Sequence, residues 1–180
     1  MGSDAPATVV SSDSRRLLLW LELATAGQAT LFIGHFAYGA HIYDDPSRYH
    51  VVIPTIIAFI VTVGLAGLYT WRGWRIVLWA LALAIALPFV GVIGLYHGGF
   101  SHTLKLLCFY GGMSPDRVQS IFDSPDFAMP NDAIFEVSGV ATLIVAGVIT
   151  YLMVRAFRAA RGQKVSAGAA PIDASAIRQP

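Results

Sequence analysis

Four long segments almost free of charge constrain this chain more than any other feature. They run from Leu17 to Tyr38, Val51 to Thr70, Ile76 to Tyr96, and Ala133 to Val154. A helix needs about 20 mostly apolar residues, rising about 1.5 Å each, to cross a hydrocarbon core about 30 Å thick. The second and third segments carry no charged residue, the first only Glu22, and the fourth only Glu136. Hydrophobic residues make up 56% of the 180-residue chain and charged residues 13%, with a mean hydropathy of +0.62. A soluble domain is about 45–50% apolar and about 25% charged. Four such helices in water would find too little polar surface to cover them, so lipid is the expected solvent. The expectation is an all-α polytopic membrane protein, a four-helix bundle with short extra helices in its longest loop.

Charge sets an expected orientation. Arg15 and Arg16 precede the first span. Arg72 and Arg75 fill the turn between the second and third. Arg155, Arg158, Arg161 and Lys164 follow the fourth. The other side holds only Arg48, Lys105 and Arg117, with Asp44, Asp45, Asp116, Asp123, Asp126, Asp132 and Glu136. Positive residues stay cytoplasmic, which puts both termini inside, in a bacterial inner membrane, with the acidic side toward the periplasm. Trp20, Trp71, Trp74 and Tyr151 mark the inner boundary, and Tyr38, Tyr43, Tyr49 and Tyr96 the outer one, because amphipathic rings favour headgroup depth. Ser14-Arg15-Arg16-Leu17-Leu18 has the look of an export signal, and Ala24-Thr25-Ala26 of a cleavage site. Glu22 interrupts the apolar run and hydrophobicity continues past Ala26, so a retained helix is expected.

The expected organisation is a single membrane domain over 15–161, between a polar disordered tail, 1–14, and an Ala/Gly/Pro-rich one, 162–180. The outer loop, 97–131, is longer than a connector needs. Two short helices are expected within it, one over His102 to Tyr110 and one opening at Ser114-Pro115 with Ser as cap. Asn131 or Asp132 caps the fourth span.

All five histidines, His35, His41, His50, His97 and His102, fall at or between the same ends of the four spans. Histidine ligates metals and moves protons near neutral pH. Glu136 shares a helical face with Gly139, Leu143 and Gly147, and small residues let membrane helices approach closely. His97 lies on the side of Gly94, Val90 and Ala86, and His35 on that of Gln28. Polar groups within spans seldom face lipid, so His35, His97 and Glu136 are expected to converge beneath the outer surface. His41, His50, His102 and Asp44 are further candidates from the loops. Two imidazoles and a carboxylate hold a first-row transition metal with positions open. One haem, held by His35 and His97, is the second option.

No spacing is diagnostic. His97 and His102 are five apart, which fits neither an α-helical i, i+4 pair nor a zinc-finger pattern. Structural readings stand beside the functional ones. Asp132 and Glu136 complement the macrodipole at a helix start, and Asp44-Asp45-Pro46 suits a turn. Pro54 and Pro88 are expected to kink their spans, and Glu22 to pair with Arg15, Arg16, Arg72 or Arg75. The single cysteine, Cys108, excludes an intrachain disulfide. No basic stripe with interleaved aromatics points to nucleic acid, and no nucleophile, phosphate-loop or metalloprotease motif assigns a reaction.

Three functions fit the chain. The first is an outward-facing His/carboxylate site that binds a metal or small ligand, within a redox or transport assembly. The second is a structural accessory subunit of a larger membrane complex, and the third a membrane enzyme acting on lipid or quinone with Glu136 and a nearby histidine as acid and base. The expected partners are the bilayer, and membrane proteins or further copies of the chain.

Overall fold

The structure is a computed structural model that describes residues 10–123 and 129–168, with side chains through 161. Among the described residues, four helices are long and apolar enough to cross a membrane, over Ser12–Ile42, Pro46–Arg72, Arg75–Tyr110 and Ala133–Arg161. They comprise α1 (Ser12–Ile42), a 3₁₀ turn (Pro46–Val51) leading into α2 (Val52–Arg72), α3 (Arg75–Ile85), a π-helical stretch (Ala86–Leu104) that runs into α4 (Lys105–Tyr110), and α6 (Ala133–Gly168). The short α5 (Pro115–Ile121) stands between α4 and α6.

Local chemistry sets the ends. The Ser11 side chain accepts from the Ser14 N–H at 3.3 Å, so α1 opens within the stretch read as an N-terminal tail. Gly73 closes α2 at φ 64°, its N–H donating to the Tyr69 carbonyl at 2.8 Å. That left-handed residue folds α2 and α3 into a tight hairpin. Asp44, at φ 50°, makes the turn after α1, a conformation aspartate tolerates better than most residues. Asp132 rather than Asn131 caps α6, its Oδ1 accepting from the Phe135 N–H at 2.8 Å. Helix α6 also continues past 161 to Gly168. Residues 1–9 and 169–180 of the expected tails, and 124–128 of the loop with Asp126, lie outside the described residues.

Two expectations about the spans change. The third helix does not stop at Tyr96 but runs to Tyr110, so His97 and His102 sit on a span and not in the loop expected over 97–131. Pro88 lies at the start of the π stretch within it. Proline lacks the N–H an α turn requires, and the chain there adopts wider turns bonded five residues apart. Pro54, by contrast, lies in the first turn of α2, where the amide has no intrahelical partner to lose, so it opens the helix.

Packing follows small residues, as expected where lipid is as apolar as the helix. Helix α6 packs most heavily against the π stretch and α1, and α2 against α3. A Cβ at Gly94 would run into Ala146, and one at Gly98 into Thr142 and the α6 backbone. Leu18, Leu21, Phe32, Leu81, Ile85, Phe89 and Ile149 form the interior. Ile53, Ile57, Ile60, Ile76, Leu83, Val137 and Ile144 face outward, where apolar side chains suit a bilayer.

Candidate metal centre

The end of the bundle where α1, the π stretch and α6 meet encloses three imidazoles. The ring centroids of His35 and His97 are 4.8 Å apart, those of His35 and His102 4.8 Å, and those of His97 and His102 4.7 Å. One ring nitrogen from each lies within 4.8 Å of the other two.

The π geometry explains how a five-residue spacing converges. In an α-helix, five residues turn the chain about 140° past a full revolution. In a helix bonded five residues apart, that spacing is close to one turn. Thr103 shows the repeat, its Oγ1 donating to the Gly98 carbonyl at 2.8 Å. His97 and His102 therefore share a face. His35 meets them from α1, its ring stacked on Phe135 at 4.1 Å. Phe32 and Phe36 each lie 5.0 Å from the His97 ring and complete an apolar wall. The His102 ring lies directly on Gly139, where any Cβ would occupy its place.

Hydrogen bonds fix which nitrogens remain for a ligand. Glu136 Oε2 lies 2.7 Å from His102 Nδ1. A carboxylate only accepts, so Nδ1 carries the proton and Nε2 the lone pair. Ser138 donates its hydroxyl to the Phe135 carbonyl at 3.0 Å. Its oxygen, 2.9 Å from His35 Nδ1, is then the acceptor, and again Nε2 carries the lone pair. His35 Nε2 and His97 Nε2 are both enclosed with no hydrogen-bond partner. An unsatisfied buried polar atom costs about 1–3 kcal/mol, a cost that a shared ligand among the three rings would remove.

Glu136 does not stand beside the imidazoles as a third donor in the way the sequence suggested. It is 4% exposed and lies behind the cluster, with Oε2 on His102 and Oε1 2.7 Å from Lys105 Nζ. Lys105, 3% exposed, neutralises it. Backing of an imidazole by a carboxylate is the usual outer shell of a ligating histidine. Sequence reasoning missed Lys105, although its place three residues after His102 was a usable signal. Ser138 gave none.

The other candidates sit apart. His41 is exposed on the last turn of α1, and Asp44 forms the turn after it. His50 is exposed, its Nδ1 2.8 Å from the Ser47 carbonyl. Among the described residues none of these joins the three imidazoles. Asp45 holds the 3₁₀ turn instead. It accepts from Ser47 and pairs with Arg48 at 3.3 Å, and the Ser47 bonds, then Arg48, hold its carboxyl below the usual range. Arg48 is buried, with its guanidinium 5.0 Å from the Tyr43 ring and 5.6 Å from that of Phe135. Glu22 is not paired with an arginine as expected, but accepts from Thr62 of α2 at 3.0 Å.

Haem fits poorly. A bis-histidine haem needs two imidazoles on opposite faces of one macrocycle, and here the His102 ring lies 4.7–4.8 Å from both. A single ion fits better. Centred among nitrogens at the 4.8 Å limit, it lies no more than about 2.8 Å from each, the limit divided by √3. An inward shift of about 0.7 Å per ring reaches the roughly 2.0–2.1 Å of a zinc–nitrogen bond. Compared with protein-family models, curated proteins and solved structures, the chain matches none.

Proposed function

We propose that this is an integral membrane metalloprotein in which His35, His97 and His102 hold one transition-metal ion, with a coordination position left for water or a small ligand. The observation that carries the reading is the pair of buried, partnerless Nε2 atoms on His35 and His97 beside a third imidazole backed by Glu136. Three neutral imidazoles suit zinc and copper better than magnesium or calcium. Three protein ligands with an open fourth place are also the pattern of reactive rather than structural zinc. Glu136 then orients His102 through Oε2, and Lys105 pairs with the carboxylate's other oxygen. The arginine bias supports a centre near the periplasmic face of a bacterial inner membrane with both termini cytoplasmic. In that place a metal or small-ligand site serves a redox or transport assembly.

Elemental analysis and metal titration of detergent-purified protein test the reading. About one equivalent of zinc or copper per chain is expected, lost when His35, His97 or His102 is changed singly to Ala. Glu136→Gln should weaken binding by about 10–100-fold, the usual effect of removing such a partner. Thermal unfolding without metal separates loss of ligand from loss of fold. If the wild-type chain takes up no metal on loading, or the three alanine variants bind as well as wild type, a structural subunit without chemistry becomes the better reading.

A further inference from the structure

At the end of the bundle away from the histidines, α1 and α6 leave a cleft of about 700 Å³. Arg16, Arg155 and Arg158 line it, with Trp20, Leu17 and Asp13. On the other side of Arg158, an apolar groove of about 310 Å³ runs between Trp79 and Ala82 of α3 and Met153, Val154 and Phe157 of α6. Arg158 therefore stands where a charged cleft meets an apolar groove.

We infer that Arg16, Arg155 and Arg158 form a binding site for a phosphate group, carried by an anionic phospholipid whose acyl chain lies in the groove along Trp79 and Phe157. Four observations converge. Among the described residues none of the three arginines is in an ion pair, although Asp13 lines the same cleft. Arg155 is held by its neighbour, Nη1 donating to the Tyr151 hydroxyl at 2.7 Å, so part of its ordering cost is already met. Trp20 and Tyr151 are exposed, as rings at headgroup depth should be. Ten of the chain's twelve basic residues are arginine, whose planar fork binds phosphate oxygens in pairs where lysine offers a point charge. A bias that only orients the chain requires positive charge on one side, but not its convergence from two helices on a single cleft. Basic pockets between spans are sites where lipid headgroups bind.

Native mass spectrometry of the full chain released from micelles tests this. Phosphatidylglycerol should be retained at least about tenfold better than phosphatidylcholine. The combined variant Arg16→Ala/Arg155→Ala/Arg158→Ala should lose that preference. Arg72→Ala/Arg75→Ala, which alters the same end of the bundle outside the cleft, should keep it. Displacement of the lipid by millimolar inorganic phosphate assigns recognition to the phosphate alone. Retention against it assigns a share to the acyl groove, and either result supports the site. Equal retention of the two lipids by the wild-type chain, or an equal loss in both arginine variants, overturns it. Metal uptake by the triple variant should match wild type, so this result stands or falls apart from the metal centre.

Discussion

Two imidazoles of the cluster, His35 and His102, are defined less by their own positions than by what holds one ring nitrogen of each. Glu136 and Ser138 commit Nδ1 of His102 and His35, and the ligand face is what remains. The Glu136–Lys105 pair gives this arrangement a cost that can be measured. Both groups are buried, and removing one partner of a buried pair leaves the other uncompensated, typically at about 3–5 kcal/mol. Glu136→Gln should therefore destabilise the metal-free protein by roughly that amount. The double variant Glu136→Gln/Lys105→Met should recover much of the loss, because neither charge is then left alone. A double-mutant cycle on unfolding in micelles measures this, and additive losses would show that the two side chains do not depend on each other. Of these residues, Glu136 and His97 were legible as polar groups on small-residue faces, and His35 as one aligned with Gln28. Lys105 was hidden because it was assigned to a loop, and Ser138 because a serine two residues after Glu136 carries no signal of its own.

Among the elements, the π-helical stretch over Ala86–Leu104 does most to build the centre. It brings His97 and His102 onto one face, and its glycines let it approach α6 closely enough for Gly139 to receive the His102 ring. One alanine inserted between Gly98 and Gly99 should turn His102 about 80–100° away from His97, since each residue adds close to that rotation in either kind of helix. Metal uptake should be lost while helical circular dichroism is kept. Uptake at wild-type level after the insertion would mean that this pair does not act together. The sequence pattern could not show this element. Periodicity separates helix from strand by turns of about 3.6 residues, and it does not distinguish an α turn from the wider π turn found here.

Over the whole molecule, the histidines gather at one end and the converging arginines at the other, and the proposed orientation puts the membrane between them. With Cys108 changed to Ser, single cysteines at His41→Cys and Arg158→Cys should label from opposite sides of sealed vesicles, residue 41 from the periplasmic side. Labelling of both from one side would remove the basis for the proposed orientation. In the proposed metalloprotein, the junction of α1, the π stretch and α6, which supplies all three imidazoles, is where metal loading should affect stability. Helix α2 gives the cluster no ligand.

Composition and hydropathy alone were enough for an all-helical chain with four bilayer-length spans, because solvation by lipid is decided segment by segment and needs no tertiary contact. They also revealed the one-sided arrangement of histidine and arginine, which follows from where each residue falls along a span. Only the folded bundle decided which imidazoles meet, which nitrogen of His35 and of His102 is hydrogen-bonded, and that Glu136 stands behind them paired with Lys105. Those depend on helix rotation and on approaches set by Gly94, Gly98 and Gly139, and both come from packing between segments distant in the chain.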